Sequence, residues 1–85
     1  MTLSIVQSLE IALSAAKMGQ WDEAHSIVAS IKHPLAYEIH AHLHRKTDDI
    51  ANALYWYNKA GIPPRTGTFS DEYDVLMQEL EQLKN

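Results

Sequence analysis

Cysteine is absent from the 85 residues. That excludes disulfides, thiolate metal sites and a cysteine nucleophile. Glycine and proline are scarce, three of each, and they fall between apolar-periodic stretches, so they punctuate helices instead of filling a loop-rich chain. Positive charge is in the minority: seven Lys and Arg against eleven Asp and Glu leave a net charge of −4 with histidine neutral. Nucleic acid and anionic membrane surfaces both demand a basic face, so neither is expected as a partner. No apolar run nears the ~20 residues of a membrane span. The start, MTLSIVQSLE, lacks the basic n-region of a secretory leader. A soluble, cytoplasmic protein is the expectation.

What is present is a hydrophobic share of 46%, ordinary for a folded domain and too high for disorder. A chain this short makes one domain, 1–85, burying roughly 60–65% of its unfolded surface.

Apolar periodicity predicts an all-α fold of about five helices. The first begins near Thr2 or Ser4, whose side chains can cap free backbone N–H groups. Val6, Leu9, Leu13 and Ala16 form its stripe, flanked by Leu3 and Ala12. Gly19 ends it. A second starts at Trp21, with Trp21, Ala24, Val28 and Ile31 inward, and stops by His33 because Pro34 disfavours helical geometry in the preceding residue. Pro34 suits the N1 position of a third helix, 34–46, with Leu35, Ala36, Ile39 and Leu43 on one arc. A fourth runs over 49–60, capped by Thr47 or Asp48, with Ile50, Ala53, Leu54, Trp56, Tyr57 and Ala60 on one broad side and Gly61 closing it. GIPPRTGTF is a loop over 61–69. Ser70 then caps a last helix, 70–84, with Tyr73, Leu76, Leu80 and Leu83 as its stripe.

The second and fourth helices echo each other at an offset of 29 residues, pairing Gly19 with Asp48, Trp21 with Ile50, Ala24 with Ala53, Val28 with Tyr57 and Ile31 with Ala60. Paired helices with a small residue at a close crossing resemble the tetratricopeptide repeat, whose period is 34 residues. GQWDEA and DDIANALYWYNKA carry that resemblance. It implies two antiparallel hairpins, 3–32 and 34–61, and a C-terminal helix covering the apolar face the second hairpin leaves open. The offset is about five residues short, and the repeat's Trp and Leu-Gly signature is missing from the first helix of each pair. The segments WDEAH (Trp21 to His25), HAHLHRK (His40 to Lys46) and NALYWYNKAG (Asn52 to Gly61) also resemble a family of short bacterial proteins of unknown function. That likeness implies a shared fold and supplies no reaction.

Five histidines are the chemically distinctive residues. His40 and His44, at i and i+4, share one helical face and have the spacing of two metal ligands. His25 is the candidate third ligand, with Glu23 and, more weakly, Asn52 behind it. HExxH is absent because Ala41 follows His40, so that motif's general base is missing. His42 is read as solvated near Glu38 and Arg45, and Asp71, Glu72 and Asp74 as a solvated acidic face. Arg45 is expected to pair with Asp48 or Asp49. Tyr57 and Trp56 are read as core, and Tyr55 as a partner contact.

The favoured reading is an interaction module whose polar groove, lined by His25, His40, His44, Asn52, Tyr55 and Trp21, takes a protein or peptide, a second copy included. No cofactor is expected and no catalytic residue is assigned. One alternative is a divalent metal or an acid–base site on His25, His40 and His44. Another is a structural subunit of a homo-oligomer or larger assembly.

Overall fold

The computed structural model describes residues 3–85. Five helices follow one another: α1 (Ile5–Lys17), α2 (Trp21–Ala29), α3 (Pro34–Lys46), α4 (Ile50–Ala60) and α5 (Phe69–Lys84), with no strand among the described residues. Ser4 caps α1 through a reciprocal box with Gln7, its Oγ accepting from Gln7 N at 3.1 Å while Gln7 Oε1 accepts from Ser4 N at 2.9 Å. Thr2, the other cap considered, lies outside the described residues. His33 caps α3 with Nδ1, which accepts from Leu35 N at 3.1 Å, and Pro34 opens that helix. At α5 the cap is Thr68 and not Ser70; Thr68 Oγ1 accepts from Asp71 N at 3.0 Å. Asp49, with no side-chain cap bond, takes the place expected for Thr47 or Asp48 before α4.

The echo at 29 residues extends to the backbone. Gly19 has φ +78° and Asp48 φ +60°. Gln20 N donates to Ala15 O and Asp49 N to His44 O, each at 2.9 Å, so both turns close with the same six-to-one bond. Glycine takes this left-handed geometry freely, whereas an L side chain is strained in it. Asp48→Gly is therefore expected to raise folding stability by about 0.5–1 kcal/mol. Urea unfolding measures it, and a lowered midpoint would show that the Asp48 side chain offsets its own strain.

α1 packs on α2, α2 on α3 and α3 on α4, while α5 lies across α1 and α3. Helix α3 is thus the centre, surrounded by the other four. The main core joins Leu9 and Leu13 of α1, Val28 of α2, Ile39 and Leu43 of α3, and Leu76 and Leu80 of α5. Ala12, Ala16, Ala24 and Ala36 are fully buried between them, letting the helices approach closely. Each large core side chain contributes about 1.5–3 kcal/mol by leaving water. A smaller cluster joins Ala41, Ala53 and Tyr57, with Trp56 and Ile62 against it.

The path of α5 corrects one expectation. It does not cover the outer face of α4, so Ile50 and Leu54, read as core, stand about half exposed. Leu3 and Leu83, placed on stripes by periodicity, are exposed at the ends of the bundle. No helix among the described residues is long and apolar enough to cross a membrane.

Candidate metal centre

Two i, i+4 pairs on adjacent helices build the centre. On α2, Trp21 and His25 stack with ring centroids 4.7 Å apart and planes 11° from parallel. On α3, His40 and His44 stack at 5.1 Å and 20°. The α2 pair meets the α3 pair edge to face: His25 lies 4.6 Å from His40 and 5.3 Å from His44, nearly perpendicular to both. Trp21 is anchored by its indole Nε1, which donates to Leu43 O at 2.7 Å and so fixes the α2 pair against the last turns of α3. From α4, Trp56 stacks on the outer side of His40 at 3.9 Å and 12°. Two tryptophans thus clamp two of the three imidazoles.

His25 Nε2 and His40 Nε2 are 3.1 Å apart, and one donor nitrogen from each of His25, His40 and His44 lies within 4.8 Å of the others. Ligand nitrogens about 2.0–2.1 Å from a tetrahedral ion are roughly 3.3 Å apart. One pair, His25 and His40, is already at that spacing. Asp49 Oδ2 stands 3.5 Å from His44 Nδ1 and accepts from Asn52 Nδ2 at 2.7 Å. A carboxylate behind one ring nitrogen favours the tautomer whose other nitrogen is free to ligate.

The electrostatics favour the neutral form of His40 and His44. Burial, then the neighbouring His25, His44 and Lys59, push His40 down to about 4. Burial and His25 lower His44 as well, against a raising contribution from Asp49. Neutral imidazole is the ligating form. His40 Nδ1 is buried without a hydrogen-bond partner among the described residues.

Of the six residues read as a polar groove, His25, His40, His44 and Trp21 converge, but into a packed cluster. Asn52 reaches it only through Asp49. Tyr55 is exposed and meets the outer side edgewise through Trp56. Trp56, read as core, is half-buried and serves as the wall behind His40.

A second polar centre escaped the sequence reading. Glu72, expected in a solvated face, is 3% exposed. Its Oε1 accepts from His42 Nδ1 at 2.7 Å and from Arg45 Nε at 3.2 Å, and its Oε2 accepts from the Tyr57 hydroxyl. His42, read as solvated, is 1% exposed. Arg45 pairs with Glu72 and not with Asp48 or Asp49, because its guanidinium also donates to Gly67 O at 2.7 Å and so ties down the loop before α5. Arg65 adds an ion pair to Glu38 at 2.8 Å. Burial pushes the Glu72 carboxyl up, but the His42 and Tyr57 hydrogen bonds, with the charge of Arg45, outweigh it and hold the group below its usual range. Burial and that same bond raise Tyr57, keeping the phenol a donor.

The chain matches no known family, no curated protein and no solved structure.

Proposed function

We propose that this protein binds a divalent transition-metal ion on His25, His40 and His44. The observation that carries the proposal is the convergence of three imidazole nitrogens from two helices within 4.8 Å, one pair already 3.1 Å apart. Three neutral nitrogen ligands, with neither thiolate nor carboxylate among them, suit zinc, nickel, cobalt or copper and disfavour magnesium and calcium. Asp49 is the outer partner that orients His44. A three-ligand set leaves one position of a tetrahedral ion for water or another donor.

The test is the thermal midpoint of protein stripped on chelating resin, with and without added zinc or nickel. At a hundredfold excess over Kd, binding adds about 2.7 kcal/mol. In a domain of this size that is a rise of about 10 °C or more. His44→Ala, at a half-buried position, should abolish the rise while keeping the fold; His40→Ala should do the same from a lower starting midpoint. No rise with either metal, or an equal rise in both variants, overturns the proposal.

A second reading has its own observation. Ile50, Leu54 and Phe69 are each roughly half exposed around a cleft of about 360 Å³ on the outer side of α4. In a tetratricopeptide-like stack, which the matching turns at Gly19 and Asp48 support, this is the face where a further hairpin would pack. An interaction module is compatible with a metal centre, since the cluster lies on the α2 side of α3.

A further inference from the structure

A separate cleft of about 220 Å³ opens where the C-terminal turns of α1 and α3 meet the N-terminus of α5. Lys17, Lys46, His42, Ser70, Tyr73 and Asp74 line it, with Phe69 at its edge. Lys17 is held over the Tyr73 ring at 5.4 Å, and Lys46 Nζ donates to Ala16 O at 3.2 Å, which fixes both ammonium groups beside the cleft. Two ammoniums against the single carboxylate of Asp74 leave one positive charge to be balanced.

The back wall is His42, 1% exposed. Its Nδ1–H donates to Glu72, and its Nε2 has no hydrogen-bond partner among the described residues. An unpartnered ring nitrogen at the cleft asks for a hydroxyl, which can either donate to it or accept from it. The lysines in front of it ask for an anion. The space, about 220 Å³, is on the scale of a compound of few carbon atoms.

We infer that this cleft binds a short hydroxycarboxylate, its carboxylate between Lys17 and Lys46 and its hydroxyl in a hydrogen bond with His42 Nε2. Ser70 at the entrance can donate a further hydrogen bond to the carboxylate. The site is independent of the metal centre: His42 leaves α3 on the side opposite to His40 and His44, toward α5.

Two-dimensional amide and imidazole NMR of the full metal-stripped chain tests it, with D-glycerate as probe. The expected result is a saturable shift at Ser70, Tyr73 and the His42 ring with Kd on the order of 1 mM. Propionate lacks the hydroxyl and glycerol lacks the charge, so each should bind at least about tenfold more weakly. K17Q/K46Q alters only exposed side chains, so it should keep the dispersed spectrum and weaken glycerate about tenfold or more. Propionate or glycerol matching glycerate, unchanged binding by the double variant, or no saturable shift at these positions overturns the assignment. Shifts confined to His25, His40 and His44 also overturn it, and leave the metal proposal untouched.

Discussion

Glu72→Ala is expected to remove about 3–5 kcal/mol of folding stability, the cost of deleting one partner from a buried charge network. A domain of this length has only about 4–13 kcal/mol in total, so the loss takes a large share of the whole. The loss is large because three donors depend on one carboxylate: His42 Nδ1, the Tyr57 hydroxyl and Arg45 Nε. They come from α3 and α4, and their acceptor comes from α5. Removing it leaves His42 and Tyr57, both 1% exposed, with nothing to bond to. Glu72→Gln keeps the shape and one acceptor oxygen, so its cost should be smaller, about 1–3 kcal/mol. Urea unfolding at pH 7 measures both, and a loss under about 1 kcal/mol in the alanine variant would show that water replaces the carboxylate. The effect has a pH signature. The folded carboxyl titrates below the free value of 4.5, so its contribution is complete above pH 4.5 and is lost as pH falls through the lower folded value. The gap between native and variant should close in that range.

How this hub escaped a reading by periodicity is instructive. On α5, Leu76 and Leu80 define a line of i, i+4 positions, and one turn back along it is Glu72. The residue was read by its charge when its position placed it on the buried line. His42 offers the same signal, since it follows Leu35 by seven residues and so returns to the apolar side of α3. Two polar residues on the inward lines of two helices are a legible hint of a buried pair. Arg45 belongs with them, three residues beyond His42. The helices themselves, the role of Pro34 as a first helical residue and the pairing of His40 with His44 were all readable, because 3.6-residue periodicity and local stereochemistry decide them. That His25 would face that pair was not. It depends on the rotation of α2 against α3, which the Trp21 bond to Leu43 O fixes across 22 residues of sequence. The exposure of Ile50 and Leu54 was equally hidden, since only the path of α5 decides which apolar face is left open.

The histidine cluster should make the metal-free protein progressively less stable from pH 6.5 downward. Burial, then His25, His44 and Lys59, hold His40 at about 4, well below its ordinary 6.5. In the unfolded chain the same ring takes up a proton near pH 6.5. Between those two values the unfolded state binds more protons, so stability rises with pH, is fully present above 6.5 and drains away as pH falls toward 4. For the buried His40 the accumulated loss approaches about 3 kcal/mol at pH 4. His44, also lowered, adds to it in the same direction. Urea midpoints at half-unit steps from pH 8 to pH 4 measure the slope. His40→Ala starts lower, because it removes a ring stacked on Trp56, yet it should flatten the part of the curve between 6.5 and 4.5. Below 4.5 the titration of Glu72 remains, which separates the two centres. Burial and the neighbouring Glu38 push Glu79 up to about 7, which contributes with the opposite sign over the same range, so the comparison of the two proteins decides: an equally steep curve in the variant would remove the cluster as the source. Zinc reverses the sense of the comparison: protons compete for the same nitrogens, so the metal-induced rise in midpoint should be greatest near pH 8 and shrink as the unligated imidazoles charge. A rise that persists undiminished at pH 5 would place the ion on carboxylates and not on these three rings.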